Sequence, residues 1–337
     1  MQAIGFKQPL PISDPRSLVD LDLPDPAPGE HDLLVEVQAI AVNPVDTKVR
    51  SAAQPTTDTW RILGWDAVGR VSAVGSRVNG FEVGDRVFYA GAIDRPGSNA
   101  RLQAVDARIA AHAPANLSDE DAAALPLTTL TAWETLFERL RVEQAVAGAA
   151  NAIVVIGAAG GVGSMAIQLA RALTDLTVIA SASRPESVAW VKRLGAQHVI
   201  DHRQPLAAQV AALGLGAPAF VFSTTHTEHY LADIVELIAP QGRIALIDDP
   251  ESLDIVSLKR KSLSIHWEFM FTRSLLGTAD LVRQHEILSS LAGLAEQGRI
   301  VTTRTETLGP INAENLRKAH ALLESGKAIG KTVLSGW

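Results

Sequence analysis

A chain of 337 residues with 47% hydrophobic and 20% charged residues is long enough for about two domains with cores of their own, and no biased tract predicts disorder. Its formal net charge of −7 offers no positive surface to DNA or RNA, and no apolar run approaches the roughly 18 residues of a membrane span, which excludes nucleic acid and membrane as principal partners. The absence of cysteine excludes disulfides, thiolate-ligated zinc and sulfur nucleophiles.

The first part of the chain has the pattern of a β-rich domain. The N-terminus lacks the basic segment and apolar core of a secretory signal, so we expect a cytoplasmic protein. Residues 1–125 are rich in valine, glycine and proline, and short runs such as LLVEVQAIAV (33–42) alternate with turns such as APGE (27–30). This texture predicts a compact sheet domain or a small barrel.

The middle of the chain has a different texture. From about residue 128 to 270, helical patterns alternate with short apolar runs, which predicts βαβ units and a parallel sheet. A helical run over 278–298 and a closing strand, KTVLSGW, return to mixed character. We therefore expect an α/β protein in which residues 126–274 form one domain and residues 275–337 rejoin residues 1–125.

A glycine-rich turn marks the start of the middle domain. The apolar run Ala152–Ile156 leads into it, and apolar residues at helical spacing follow it. Backbone without side chains can approach a pyrophosphate, whose charge is met by N–H groups at the helix N-terminus. The context predicts a dinucleotide site, and a tight turn without a ligand is the alternative. Its candidate residues are Gly160, Gly161, Val162 and Gly163.

The next strand distinguishes NAD from NADP. In an NAD enzyme, a carboxylate about 20 residues after the turn accepts a hydrogen bond from the ribose 2′-hydroxyl. Here the predicted strand Thr177–Ser181 is followed by Ser183 and Arg184, and no acid occurs before Glu186. A 2′-phosphate would be repelled by a carboxylate and bound by an arginine and hydroxyls, so the sequence favours NADPH, with Ser181, Ser183 and Arg184 as contacts.

Two further readings apply near this strand. Ser183 and Glu186 have the spacing of a capping box that opens the next helix. Arg184 could still project from the sheet's carboxyl edge, so this reading is compatible with cofactor binding. His202 follows the run HVID and is a candidate neighbour of the adenosine end of the cofactor.

Together these segments resemble the medium-chain dehydrogenase/reductase superfamily, with the closest likeness to quinone oxidoreductases and zinc-type alcohol dehydrogenase-like proteins. The likeness covers essentially the whole chain. It is carried by AVNPVDTKVR (41–50), LGWDAVGRV (63–71), VGDRV (83–87), LPLTTLTAWETL (125–136), GAAGGVG (157–163) and GKTVLSG (330–336). The family implies a GroES-like β-rich catalytic domain, a Rossmann domain with a doubly wound parallel sheet, and a homodimer formed by edge pairing of Rossmann sheets, here through Leu263–Phe269.

The chain departs from the zinc-dependent branch of this family. NPVDT (43–47) stands where that branch carries a catalytic cysteine, and Gly64, Trp65 and Asp66 stand where it carries Gly-His-Glu. His226 and His229 could share a helix face, but two imidazoles lack the remaining ligands of a zinc site. We therefore expect no metal.

By the family likeness, Asn43, Lys48 and Trp65 lie near the acceptor. Asn43 could donate through its amide, and Lys48, at a position where many quinone reductases have tyrosine, could stabilise a developing oxyanion. Alternatively, Asn43, Pro44 and Asp46 read as the N-cap, first residue and third residue of a short helix. We expect Asp66 to fix a turn.

The family likeness also implies cofactor contacts in several other segments. Two of them, Ser223 and Asp248, follow short apolar runs and would lie at the carboxyl ends of strands, where open α/β sheets bind ligands. The set is Thr128, Thr129, Thr131, Ser223, Thr224, Ile247, Asp248 and Lys331.

The sequence thus predicts a zinc-independent, NADPH-dependent oxidoreductase that transfers a hydride to a quinone or an α,β-unsaturated carbonyl. Electron-poor acceptors suit a site that has no metal to polarise a carbonyl. Two alternatives stay open: an NADPH-binding sensor with little turnover, and an alcohol dehydrogenase-type carbonyl reductase that uses adventitious zinc.

Overall fold

The computed structural model describes residues 1–337, and the chain divides into two compact units. One unit is discontinuous and consists of Met1–Leu130 with Phe271–Trp337, and the other is Thr131–Met270. No helix of the chain combines the length and the apolar composition needed to cross a bilayer.

Sixteen strands and ten α-helices make up the two units. The strands are β1 (Gln2–Phe6), β2 (Val19–Asp22), β3 (Asp32–Ala41), β4 (Arg61–Ile62), β5 (Ala67–Val74), β6 (Arg86–Tyr89), β7 (Leu102–Asp106), β8 (Ala110–His112), β9 (Ala150–Ile156), β10 (Thr177–Ser181), β11 (His198–Ile200), β12 (Pro218–Ser223), β13 (Arg243–Leu246), β14 (Ser264–Trp267), β15 (Arg304–Thr307) and β16 (Lys331–Ser335). The helices are α1 (Pro44–Ala52), α2 (Asp119–Ala123), α3 (Pro126–Trp133), α4 (Gly161–Leu173), α5 (Pro185–Arg193), α6 (Leu206–Ala212), α7 (Thr227–Leu237), α8 (Thr272–Leu276), α9 (Arg283–Glu296) and α10 (Ala313–Glu324).

The discontinuous unit is built mainly from antiparallel strands. Its larger sheet has seven strands in the order β15-β16-β3-β5-β6-β8, with β7 paired to β3, and a smaller sheet has the order β2-β1-β4. The long strand β3 alternates between buried and half-buried positions, and Leu33, Val35 and Val37 are fully buried on one face. This alternation confirms the predicted sheet character of the N-terminal segment.

The second unit contains one parallel sheet of six strands in the order β11-β10-β9-β12-β13-β14. Numbered from β9, this is the 3-2-1-4-5-6 order of a Rossmann sheet, in which ligands bind at the carboxyl ends of the strands. The residues Ala152–Ile156 of the central strand are buried on both faces, which explains their continuous apolar run. The predicted parallel sheet is confirmed.

Individual predicted elements agree with the structure to different degrees. The strand predicted over Thr177–Ser181 coincides with β10, while the helical run predicted from Thr278 begins at Arg283 as α9. The predicted capping box of Ser183 and Glu186 is wrong. The N-cap of α5 is Arg184, whose backbone N–H donates to the hydroxyl of Ser187 at 3.2 Å. Ser183 is instead turned toward a neighbouring strand, as described below.

Candidate functional site

The glycine turn between β9 and α4 has a shape that side chains would obstruct. Gly157 has a φ of 73°, and a Cβ added to it would lie 2.2 Å from Oγ1 of Thr224. A Cβ added to Gly163 would lie 2.6 Å from the Cα of Ala158, so glycine there lets α4 pack against the turn. Both positions require glycine for reasons of geometry.

Two hydroxyls from neighbouring strands hold this turn in place. Ser181, at the end of β10, accepts a hydrogen bond from the N–H of Gly157 at 3.0 Å. Thr224, just after β12, donates to the carbonyl of Ile156 at 2.9 Å. Ser181 is buried, and its hydroxyl therefore orients the turn.

The first turn of α4 carries backbone N–H groups that have no acceptor within the helix. Gly160 is the N-cap, and the N–H groups of Gly161, Val162 and Gly163 belong to the first turn, where a helix has no carbonyls of its own to accept them. Gly160, Gly161 and Val162 are half-buried. A helix N-terminus of this kind binds the oxygens of a phosphate, so the predicted residues have the geometry of a pyrophosphate cradle.

A second polar group lies at the carboxyl ends of β10 and β11. The hydroxyl of Ser183 and Nε2 of His202 are 3.0 Å apart, and both residues are half-buried. Arg184 lies beside Ser183, its Nε 3.4 Å from Glu186. Partial burial lowers the pKa of His202, against the opposing charge of Asp201. The structure thus brings together Ser183 and Arg184, predicted to contact the 2′-phosphate, and His202, predicted near the adenosine end of the cofactor.

Arg203 is a member of this group that the sequence analysis missed. Its guanidinium donates to the carbonyl of Ser183 at 3.1 Å and pairs with Asp201 at 2.7 Å. The carboxylate that follows β11 is therefore engaged by an arginine. A basic residue directly after His202 was the sequence signal that could have identified it.

The polar residues after β12 and β13 serve the start of α7. Both carboxylate oxygens of Asp248 accept from Thr227, one from its N–H at 2.7 Å and one from its hydroxyl at 2.6 Å. The Thr227 hydroxyl also lies 2.8 Å from Ser223, which is fully buried. Ser223 and Asp248 thereby fix this helix terminus, and Ile247 is half-buried beside them.

In the discontinuous unit, two segments that are distant in sequence converge on the buried ammonium of Lys331. Its Nζ donates to the carbonyl of Val42 at 2.9 Å, to Oδ2 of Asp66 at 2.9 Å and to Oδ1 of Asn43. The Asn43 amide also donates to Asp66 at 2.8 Å, and the N–H of Leu127 donates to the other Asp66 oxygen at 2.7 Å. We call Asn43, Asp66 and Lys331 the lysine cage.

The prediction that Asp66 fixes a turn is therefore wrong. It is fully buried just before β5, with both oxygens accepting hydrogen bonds. Burial raises the pKa of Asp66, and Lys331, the Leu127 N–H and the Asn43 amide all oppose that rise. An aspartate inside the apolar run LGWDAVGRV was the signal for a buried, paired carboxylate.

A second buried carboxyl group lies at the start of α1. Asn43 is the N-cap, Pro44 occupies the first turn, and Asp46 accepts from the N–H of Asn43 at 2.7 Å, which confirms the predicted helix start. Asp46 is buried, and its other oxygen has no hydrogen-bond partner. Burial raises the pKa of Asp46 to about 7.

The remaining predicted residues lie in different surroundings. Trp65 is buried, donates its indole N–H to the carbonyl of Ala92 at 3.1 Å and contacts Phe271 edge-on. Lys48 is exposed on α1. Thr128 and Thr131 are buried in α3, where the hydroxyl of Thr128 donates to a carbonyl of the preceding turn at 3.2 Å.

The donor set at the family's zinc positions does not fit a metal ion. No three histidine, aspartate or glutamate side chains gather in a geometry that could hold one, and the chain has no cysteine. At these positions the structure has an amide, an indole and a carboxylate that is paired with an ammonium. Zinc prefers thiolates and imidazoles, which are missing from this set.

Known families match both ends of the chain. Residues 29–113 match the alcohol dehydrogenase GroES-like domain, and residues 194–334 match the zinc-binding dehydrogenases. A zinc-type alcohol dehydrogenase-like protein of Staphylococcus aureus is 39% identical over 337 residues, which cover 99% of this chain and 100% of that protein. A 2-methylene-furan-3-one reductase of Solanum lycopersicum is 30% identical over 316 residues, 90% of this chain and 72% of that protein. The predicted fold class, a GroES-like unit with a Rossmann unit, is confirmed.

Solved structures show the same likeness. A Rhizobium etli CFN 42 protein proposed to be a zinc-dependent alcohol dehydrogenase has 58% identity and a TM-score of 0.98, covering 100% of this chain and 98% of its own. A quinone oxidoreductase of Pseudomonas syringae has 27% identity and a TM-score of 0.82, covering 99% of both chains. A mycobacterial protein complexed with NADPH has 27% identity and a TM-score of 0.81, covering 99% and 100%.

Proposed function

We propose that this chain, which belongs to the medium-chain dehydrogenase/reductase superfamily, is an NADPH-dependent reductase that acts on quinones or α,β-unsaturated carbonyls without zinc. The family makes it an oxidoreductase. The observation that carries the finer proposal is the polar group of Ser183, Arg184 and His202 at the carboxyl edge of a Rossmann sheet whose first turn is a glycine cradle.

A nicotinamide dinucleotide fits the second unit. The glycine turn is held by Ser181 and Thr224, and the N–H groups at the start of α4 can receive a pyrophosphate. The mycobacterial neighbour with NADPH and 27% identity supports the same cofactor class. When bound, the cofactor supplies a hydride from its nicotinamide ring.

The preference for the phosphorylated cofactor follows from charge. Ser183, Arg184 and His202 offer a hydroxyl, a guanidinium and an imidazole at one edge, and such groups bind a phosphate. The nearby acids are both paired, Glu186 with Arg184 and Asp201 with Arg203. We therefore infer that this edge binds the 2′-phosphate of NADPH and discriminates against NADH.

The proposed acceptors follow from the missing metal ligands. Without a Lewis acid, hydride transfer suits acceptors that are already electron-poor, such as quinones and enones, where the negative charge is delocalised onto oxygen. An enone gains the hydride at its β-carbon and a proton from solvent at its α-carbon. The exposed ammonium of Lys48 is the candidate that stabilises the developing oxyanion. The names of the Solanum lycopersicum reductase and the Pseudomonas syringae quinone oxidoreductase support this acceptor class.

We also propose that the protein forms a homodimer through the free edge of the Rossmann sheet. The strand β14 lies at the end of the strand order and pairs only with β13. Trp267 and Phe269, at and just beyond its end, are 54% and 46% exposed. An edge with unpaired backbone groups and exposed aromatics suits pairing with its symmetry mate.

Steady-state kinetics after metal removal test the proposed function. Protein treated with a chelator and verified by elemental analysis should consume NADPH with a quinone or an enone in proportion to protein concentration. Tight NADPH binding without turnover would favour the sensor alternative. Activity that is lost on chelation and restored by Zn²⁺ would favour the alcohol dehydrogenase alternative, which the name of the Rhizobium relative suggests.

A further inference from the structure

The lysine cage satisfies one ammonium group completely. An ammonium has three N–H donors, and Lys331 has three oxygen acceptors, from Val42, Asn43 and Asp66. Lys331 is 3% exposed, so these donors are shielded from bulk solvent. Two other cations of this unit are buried, and each pairs with a carboxylate of its own, Arg50 with Glu324 and Arg273 with Asp280. Lys331 is therefore the cation that compensates Asp66.

The cage joins parts of the chain that are far apart in sequence. Lys331 begins β16, Asn43 is the N-cap of α1, and Asp66 lies just before β5. Through Asp66 the cage also reaches the N–H of Leu127 in α3. The ammonium of Lys331 thus links its own segment to those of Asn43 and Asp66, and Asp66 adds a fourth segment through Leu127.

The cage differs from a zinc site in what lies at its centre, which is a lysine ammonium and not a metal ion. In the zinc-dependent branch, the motif around residue 43 and the Gly64–Asp66 motif supply metal ligands. In this chain the same two motifs supply an amide oxygen and a carboxylate oxygen to a lysine. The oxygen acceptors surround the ammonium nitrogen of Lys331. The positive charge therefore comes from a side chain of the protein and not from a bound ion.

We propose that Lys331 is a positioning residue: its ammonium is an internal cation that replaces a metal ion in this unit and holds Asn43 and Asp66 in the arrangement required for turnover. The reference to turnover rests on the proposed function, whereas the cage itself does not. Removing the ammonium leaves a buried carboxylate without its cation, which costs far more than losing a surface ion pair.

Chemical rescue of Lys331→Ala tests the proposal. The substitution removes the equivalent of one propylammonium ion. We expect a lower melting temperature and a kcat about 10- to 100-fold lower, as for other losses of a buried charged hydrogen bond. Added n-propylammonium chloride should raise both saturably, while tetramethylammonium chloride at equal ionic strength should not, because it cannot donate hydrogen bonds. The KM for NADPH should remain unchanged.

The matched control is Arg304→Met, which removes a partly exposed cation paired with Asp121 at 2.8 Å in the same unit. Propylammonium should have no specific effect on this variant or on the wild type. A melting temperature of Lys331→Ala that responds equally to both ammonium salts would overturn the cage. The positioning role would be overturned if Lys331→Ala had the same kcat as the wild type. It would also be overturned if propylammonium restored the melting temperature of this variant but not its kcat.

A double-substitution cycle covers the case in which Lys331→Ala does not fold. Lys331→Met with Asp66→Asn removes both charges and should be more stable than Lys331→Met alone, since no unpaired carboxylate remains. Additive losses would contradict the proposal. If the wild type has no reductase activity, the proposed function fails, and the melting experiments still decide whether the cage exists.

Discussion

The two polar clusters of this protein differ in their exposure to solvent. In the discontinuous unit, Asn43, Asp66 and Lys331 are almost completely buried and satisfy one another. In the Rossmann unit, Ser183 and His202 are half-buried at strand ends. Closed polar networks fix a structure, and open ones bind ligands. This difference in burial is the basis on which we propose a positioning role for the first cluster and a binding role for the second.

The largest effect should come from filling the glycine turn. Gly157→Val places a branched side chain against Thr224 at a positive φ, so we expect more than about a 100-fold loss of NADPH affinity, measured by fluorescence titration. The matched control is Gly293→Ala, because a Cβ at Gly293 would meet open space within α9. If Gly157→Val bound NADPH with unchanged affinity, the cofactor would not bind at this turn.

Removing the guanidinium at the edge of the sheet should separate the two coenzymes. Arg184→Ala should weaken NADPH binding about 10- to 100-fold and leave NADH binding nearly unchanged, because in the proposed complex this group would contact the 2′-phosphate, which NADH lacks. Lys192→Ala removes an exposed charge from the same helix and serves as the control. An equal loss for both coenzymes would place the guanidinium elsewhere on the cofactor.

Neutralising Lys48 should have a smaller effect. Lys48→Met removes an exposed ammonium from α1, and we expect kcat to fall a few-fold to about tenfold while the melting temperature stays within about a degree. Stopped-flow measurement of NADPH oxidation separates the chemical step from product release. A change in KM for NADPH with kcat intact would argue against oxyanion stabilisation.

The smallest effect concerns the pH dependence of stability through Asp46. Its pKa is raised to about 7 in the folded protein from an ordinary 3.8, so the folded state binds the extra proton between these values. Stability should therefore decrease as the pH rises from about 4 to about 7. Asp46→Asn should flatten this decrease, measured as melting temperature at pH 5 and pH 8. A wild type that is more stable at pH 8 relative to the variant would contradict the assignment.

The sequence predicted the Rossmann unit well because its strands and its glycine turn are each encoded by consecutive residues. The strand Thr177–Ser181 and the turn from Gly157 to Gly163 follow from consecutive residues, and both agree with the structure. The capping box was misplaced by one residue, because the hydroxyl of Ser183 pairs with His202, which lies just after the neighbouring strand β11. Pairing across strands is not encoded in neighbouring residues.

The lysine cage could not be predicted in the same way. Lys331 and Asp66 are 265 residues apart, and no periodicity connects them. The family likeness implied a cofactor contact for Lys331, and the neighbours of Asp66 suggested a turn, so the two residues were not connected. Only the tertiary fold shows that the two charges compensate each other.

The most direct test of the central claim is deuterium transfer from NADPH in which both hydrogens at C4 of the nicotinamide are replaced by deuterium. With metal-depleted protein and an enone acceptor, the account predicts that mass spectrometry will find one deuterium in the reduced product, at the β-carbon, with no dependence on added Zn²⁺. A product without deuterium, or transfer that occurs only after Zn²⁺ is restored, would contradict it.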